Sequence, residues 1–136
     1  AICEHERNLK ERLLTGLSQI PKVILYGDSQ DKERLGVVPF NIQGIHHKKV
    51  GQLLADKRAI AVRTGCFCAH PYVARLLGIT DKERYRYMLK EDVPEIGMVR
   101  ASLALFNTRE EIDEFLNIVE YIATSQAIGY GNKFYF

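Results

Sequence analysis

Residues 97–122 read GMVRASLALFNTREEIDEFLNIVEYI, and this stretch decides the fold class. In 97–106, apolar side chains alternate with smaller or polar ones, which predicts a strand with one buried face. Thr108 stands three residues before Glu111, the spacing of a capping box at a helix start. The helix that follows carries an apolar stripe at helical spacing, formed by Ile112, Phe115, Leu116, Val119 and Ile122. A half-buried strand followed by an amphipathic helix predicts a sheet covered by helices.

The chain on either side shows the same two patterns. Apolar periodicity and turn residues predict helices over 4–20, 46–56 and 71–77, and strands over 23–26, 35–42 and 59–63. Pro39 predicts an edge position or a bulge for its strand. We expect 27–34 to be a polar loop, 80–95 to cross the surface with one helical turn, and 125–136 to form a strand or an arm. The predicted fold is α+β: a two-layer α/β sandwich with a small, mainly antiparallel sheet and helices packed on one face.

Length and composition restrict the class of protein. A chain of 136 residues is expected to form one domain, over 1–136. With 46% hydrophobic and 26% charged residues, its composition is that of a globular protein. The 19 Lys and Arg and 17 Asp and Glu are mixed along the chain, so we expect no nucleic-acid partner. No apolar run reaches the ~20 residues of a membrane span and no signal peptide is evident, so we expect a cytoplasmic protein without a membrane partner.

Residues 63–71, RTGCFCAHP, have no periodicity and contain two cysteines. Cations and a helix N-terminus favour the thiolate, the nucleophilic form of cysteine. Arg63, His70 and the helix expected at Pro71 would supply both. The alternative is that Cys66 and Cys68 are small apolar residues that fill space.

A second interpretation of the same residues is metal binding. Three potential metal ligands lie close together in the sequence, Cys66, Cys68 and His70, with further candidates at Cys3, His5, His46 and His47. Structural zinc sites use two ligand pairs, and no clear second pair follows this cluster, so we expect no metal site. On the predicted strand, Arg100 is either a surface cation or an anchor for a carboxylate, which a guanidinium fork suits.

Three motifs in order resemble a known family. They are Arg63-Thr64-Gly65-x-x-Cys68-Ala69-x-Pro71, Val99-Arg100-Ala101-Ser102-Leu103, and Asn107-Thr108-x-Glu110-Glu111-Ile112-Asp113. Together they resemble the C-terminal portion of class V aminotransferase-fold enzymes, most of all cysteine desulfurases and selenocysteine lyases. The Arg-Thr-Gly-Cys-Phe-Cys string is also similar to a segment of molybdenum-cofactor sulfurases.

The resemblance implies a pyridoxal phosphate enzyme of fold type I that takes sulfur from L-cysteine. Cys68 matches the cysteine that forms a persulfide, and Arg100 matches the arginine that grips the substrate α-carboxylate. Arg63 matches an arginine that flanks the same loop, and it is a second candidate for substrate binding. Cys66 stands where many desulfurases carry histidine, and it and His70 are accessory candidates.

The chain departs from the family pattern in two ways. No segment matches the Schiff-base lysine of the cofactor, so we expect 1–136 to be the C-terminal small domain of a longer enzyme, binding no cofactor and inactive alone. The start at Ala1, without an initiator Met, agrees with this expectation. The spacing of 32 residues between Cys68 and Arg100 implies an insertion at 72–98 beside the site.

The implied partners are a large domain of the same chain, a second copy in a homodimer, and a sulfur-acceptor protein. Two alternatives stay open at this point. One is a different reaction on the same fold, such as transamination, epimerisation or another lyase step. The other is a stand-alone module that binds a protein or a metal.

Overall fold

The computed structural model describes residues 2–27, 35–89 and 95–125. These ranges contain five helices and four strands. In chain order they are α1 (Ile2–Gln19), β1 (Val23–Leu25), β2 (Val37–Ile42), α2 (His47–Arg58), β3 (Arg63–Gly65), α3 (His70–Leu76), α4 (Asp81–Met88), β4 (Met98–Ser102) and α5 (Arg109–Ser125). Of the loop predicted over 27–34, residues 28–34 lie outside the described residues. So do residues 126–136 of the terminal strand or arm predicted over 125–136.

The four strands form one antiparallel sheet in the order β1-β2-β4-β3. In the central pair, Phe40 lies opposite Val99 and Val38 lies opposite Ala101. All four side chains are buried on the same face, as the alternation predicts. The strand predicted over 97–106 is shorter in the structure, since β4 ends at Ser102 and Leu105 is exposed.

The main core lies between this sheet face and helices α1, α2 and α5. The rings of Phe40 and Phe115 meet edge to face there, with centroids 6.0 Å apart. Apolar side chains at helical spacing in α1 and α5 supply most of the helical layer, including Leu9, Leu13, Leu17, Ile112, Val119 and Ile122. The predicted α+β architecture, a small antiparallel sheet with a layer of helices, is confirmed.

A second, smaller core covers one end of the opposite sheet face. It contains Cys66, Val73, Leu77 and Met98. Because neighbouring residues of a strand point to opposite faces, Met98 points away from the face that buries Val99. Helix α3 therefore packs beside β3 and β4 on the sheet face that carries Arg100.

The structure corrects two strand predictions. Pro39 lies on β2, a central strand and not an edge. The sheet accommodates it because Pro39 lies at the end of the pairing with β1, where its carbonyl accepts from the Tyr26 N–H at 3.1 Å and only the return bond from its missing N–H is lost. The third strand is Arg63–Gly65 instead of 59–63, since Ala59 is left-handed (φ 54°) at the C-cap of α2.

The segment after α3 is more regular than predicted. Residues Asp81–Met88 form an eight-residue helix where one turn was expected. The hydroxyl and the backbone N–H of Thr80 both donate to the Glu83 carboxylate. These hydrogen bonds form a capping box at the start of α4, which was not recognised in this polar sequence. In the described ranges, no helix has the length and the apolar character that crossing a membrane requires.

Candidate functional site

The site is built on a continuous strand, turn and helix over 63–76. β3 ends at Gly65, whose φ of 109° favours glycine. The next four residues form a tight turn, closed by the Ala69 N–H donating to the Cys66 carbonyl at 2.8 Å. Its two central residues, Phe67 and Cys68, have φ values of 52° and 62°, as in a type I′ turn.

This turn places two ordinary side chains in the left-handed region. Phe67 and Cys68 lack the freedom of glycine, and such a conformation persists only when its surroundings hold it. The result is that Cys68 is exposed at the tip while Cys66 is buried at the base. Of these two thiols, only that of Cys68 is accessible from solvent.

Arg100 lies beside this turn. Its guanidinium carbon is 5.0 Å from the centroid of the Phe67 ring, within range of a cation–π contact. Phe67 immediately precedes Cys68, so the arginine and the thiol-bearing turn are in direct contact. The Nε atom of Arg100 is buried and has no hydrogen-bond partner among the described residues.

Arg63 on β3 lies directly opposite Arg100 on the adjacent strand β4. The two residues are directly paired in the register of β3 and β4, so their side chains leave the sheet on the same face. Within the described ranges, no carboxylate forms an ion pair with either of them. Like charges opposite each other are unfavourable without a counter-charge. The pair therefore suits an anionic ligand, and a carboxylate fits the planar donor fork of arginine.

Cys66 is placed for a different role from Cys68. Its side chain belongs to the small core, and its Sγ lies 3.2 Å from the Ile96 carbonyl oxygen, to which the thiol donates. Burial raises the pKa of this thiol above its ordinary value, and the negative charge of Glu95 raises it further. Cys66 is thus a neutral hydrogen-bond donor at neutral pH.

His70 is the first residue of α3 and is exposed. Its side chain makes no hydrogen bond to the described part of the chain, so its proposed accessory role rests on its position two residues after Cys68. Pro71 occupies the first turn of α3, as predicted, where its missing N–H costs no helical hydrogen bond.

The segment 95–97, just before β4, supports the site and was not singled out from the sequence. The amide of Asn41 donates to the Gly97 carbonyl at 3.1 Å. The ring of His47 packs so closely that a Cβ on Gly97 would lie 2.5 Å from its Nε2. Lys48 pairs with the Glu95 carboxylate at 2.6 Å. The only sequence signals for these contacts were the doubled histidine at 46–47 and the glycine before an apolar strand.

The metal interpretation gains no support from the geometry. Across 2–27, 35–89 and 95–125, no three His, Cys, Asp or Glu side chains are grouped so that they could hold a metal ion. Cys66 points into the small core while Cys68 points to solvent. His5, an outlying candidate, lies against the Asn107 carbonyl instead.

Comparisons with known proteins agree with this arrangement. A cysteine desulfurase of Escherichia coli is 38% identical over 122 residues, which is 90% of this chain and 25% of that protein. A cysteine desulfurase of Klebsiella pneumoniae is 40% identical over 115 residues, covering 85% of this chain and 23% of that protein. The chain thus spans about a quarter of the length of these curated relatives.

Solved structures give the same result for the fold. The apo structure of a cysteine desulfurase from Thermococcus onnurineus superposes with a TM-score of 0.71 at 34% identity, covering 90% of this chain and 26% of that one. The cysteine desulfurase CsdA of Escherichia coli gives a TM-score of 0.65 at 25% identity, covering 88% and 25%. The family model described as aminotransferase class-V matches residues 1–115. The chain therefore belongs to the class-V aminotransferase family.

Proposed function

We propose that this chain is the C-terminal small domain of a pyridoxal phosphate-dependent cysteine desulfurase, and that Cys68 accepts the sulfur. The observation that carries the proposal is the contact between Arg100 and Phe67, because it joins a carboxylate-binding group to the turn that exposes a thiol. Similarity to cysteine desulfurases over 90% of the chain supports the reaction class.

Arg100 is the proposed anchor for the substrate α-carboxylate. Its half-buried guanidinium is held over the Phe67 ring, and its buried Nε lacks a partner in the described residues. A substrate carboxylate would supply both the missing hydrogen-bond acceptor and the counter-charge. Arg63, exposed on the same face, would add a second positive charge at the entrance.

Cys68 is the proposed nucleophile. Its thiolate would attack the sulfur of bound L-cysteine, form the Cys68 S–S bond and break the substrate C–S bond. The substrate carbon would leave with the electron pair and take up a proton, so that L-cysteine and a thiol give L-alanine and a Cys68 persulfide. A sulfur-acceptor protein would then receive the terminal sulfur at the exposed turn.

Pyridoxal phosphate is the cofactor that the family implies, and when bound it would supply the electron sink for carbon–sulfur cleavage. The residues of the site do not fit a covalent anchor for it, because 63–77 contains no lysine. Its covalent anchor is therefore proposed to lie in a large domain of the same polypeptide. We also predict that the full-length protein forms a homodimer and that it is cytoplasmic.

The test compares thiol variants of the full-length protein loaded with pyridoxal phosphate. We expect Cys68→Ala to lower sulfide release from L-cysteine by at least ~100-fold, because a nucleophile is lost. Cys3→Ala is the matched control and should retain the wild-type rate. Arg100→Lys should mainly raise KM, because a point charge replaces a bidentate fork.

Two outcomes would contradict the proposal. Normal sulfide release from Cys68→Ala would show that this thiol is not the acceptor. Formation of a keto acid or an epimer at equal rates in wild type and Cys68→Ala, with loss only in Arg100→Lys, would instead assign transamination or epimerisation to the same fold.

A further inference from the structure

The turn that presents Cys68 is anchored at its base by Cys66. The Ala69 N–H closes the turn onto the Cys66 carbonyl, while the Cys66 thiol donates to the Ile96 carbonyl at 3.2 Å. Cys66 therefore forms hydrogen bonds through both its backbone carbonyl and its side-chain thiol. Because Phe67 and Cys68 are in an unfavourable left-handed conformation, the turn depends on such anchors.

The acceptor of this bond is itself held in place. On one side of Ile96, the Glu95 carbonyl lies 3.3 Å from Nε2 of His47. On the other side, the Gly97 carbonyl accepts from the Asn41 amide. Segment 95–97 runs directly into β4, the strand that carries Arg100. The S–H···O bond thus ties the turn of the proposed nucleophile to the strand of the proposed carboxylate anchor.

The state of the Cys66 thiol fits a donor and not a nucleophile. Its side chain is only 7% exposed, in contact with the small core. Burial and the Glu95 charge both raise its pKa, so the proton needed for donation stays on the sulfur. A thiolate could not donate to a carbonyl, and a neutral thiol is a poor nucleophile.

We propose that Cys66 is a positioning residue: its hydrogen bond to the Ile96 carbonyl sets the placement of Cys68 relative to Arg100, and its sulfur takes no part in sulfur transfer. The proposal rests on the desulfurase function proposed above. It assigns different roles to the two cysteines of the Cys-Phe-Cys string, one exposed and reactive, the other buried and structural.

The test uses the full-length protein loaded with pyridoxal phosphate and a pair of variants that differ by one hydroxyl group. Cys66→Ser keeps a donor for the Ile96 carbonyl, whereas Cys66→Ala removes it. We expect Cys66→Ala to lower kcat for sulfide release about fivefold with KM for L-cysteine unchanged, as for loss of one weak hydrogen bond. Cys66→Ser should stay within about twofold of wild type, so the conservative variant rescues the rate.

Two measurements keep the test independent of folding. Mass spectrometry of the wild-type protein after one turnover should find the persulfide on Cys68 and none on Cys66. Iodoacetamide should label Cys68 in the native protein and label Cys66 only after denaturation. Equal loss of kcat in the two Cys66 variants, a persulfide on Cys66, or equally fast labelling of both thiols would each overturn the proposal.

Failure of this inference can be told apart from failure of the proposed function. Iodoacetamide labelling needs no desulfurase activity, so it tests the burial of Cys66 alone. If Cys68→Ala releases sulfide normally, the proposed function fails whatever the labelling shows. If Cys68→Ala is inactive but both Cys66 variants match wild type, only the positioning role fails.

Discussion

The two ring nitrogens of His47 are in different situations, although the whole residue is buried. Nε2 lies 3.3 Å from the Glu95 carbonyl, while Nδ1 is buried without a partner among the described residues. The pKa of His47 is lowered to about 4, first by burial and then by the neighbouring His46 and Lys48, against the opposing effect of Glu95. The imidazole that packs against Gly97 is therefore neutral at pH 7.

This buried imidazole predicts a pH-dependent stability. In the unfolded chain His47 binds a proton near pH 6.5, so between pH 6.5 and pH 4 the unfolded state holds more protons than the folded state. The free energy of unfolding should fall as pH falls through this window, by up to about 1.4 kcal/mol per pH unit from this residue. His47→Gln should flatten the slope.

The measurement is urea unfolding at several pH values between 4.5 and 7.5. His5→Gln, a change at an exposed histidine, is the control and should keep the wild-type slope. Carboxylates add their own loss of stability at the acid end, so the difference between wild type and His47→Gln is the informative quantity. Parallel curves for these two proteins would show that His47 is not buried as a neutral group.

Some features of the candidate site could be predicted from the sequence, and others could not. The resemblance of their motifs to a known family singled out Cys68 and Arg100, and the structure brings their neighbourhoods together through Phe67. The burial of Cys66 could not be predicted, because it depends on Val73 and Met98, which come from α3 and β4. Contacts between elements that are far apart in the chain cannot be predicted from the local periodicity of the sequence.

At the scale of elements, β2 and β4 are joined by a side chain as well as by their ladder. Asn41 is 1% exposed, and its Oδ1 accepts from the Val99 N–H while its Nδ2 donates to the Gly97 carbonyl. The amide therefore satisfies one donor and one acceptor at the start of the strand that carries Arg100. Gly97 and Val99 are both buried, where a backbone polar group without a partner is costly.

Asn41→Asp should destabilise the sheet strongly. The carboxylate keeps an acceptor for Val99 but faces the Gly97 carbonyl with oxygen in place of an N–H donor, and it buries a charge. We expect a loss of about 2–3 kcal/mol in the free energy of unfolding at pH 7, measured by chemical denaturation. Asn117→Asp, the same change at an exposed position of α5, should have little effect. Equal effects at the two positions would contradict the role given to Asn41.

The elements themselves were predicted to different degrees. Alternation located β4, and apolar stripes located α1, α2 and α5, because these elements bury one regular face. The start of β3 was misplaced since Ala59, with no glycine to mark it, adopts the left-handed C-cap of α2. Helix α4 was underestimated because its sequence is mostly charged, and its exposed apolar side chains, Tyr85 and Met88, bury no stripe.

At the scale of the whole molecule, the sheet separates two cores of unequal size. The main core holds α1, α2 and α5 against one face, while the small core has four buried residues within the described ranges, next to the seven-residue helix α3. The site lies on the small-core side of the sheet, since Arg100 leaves the sheet on the face opposite the main core and Cys66 belongs to the small core. Stability is seldom uniform across such a structure, and regions with few buried contacts open first.

Two leucine truncations should therefore have different consequences. Leu54→Ala in the main core should lower the free energy of global unfolding by about 2–5 kcal/mol, because it leaves a cavity among fully buried neighbours. Leu77→Ala in the small core should instead speed amide hydrogen exchange over 66–79 while exchange in α5 stays slow, since the segment can open without the sheet. Hydrogen exchange by mass spectrometry, with thermal unfolding as a second measure, separates the two responses. If Leu77→Ala accelerates exchange in α5 as much as in 66–79, the two cores unfold as one unit, and the turn that carries Cys68 has no independent freedom to move relative to Arg100.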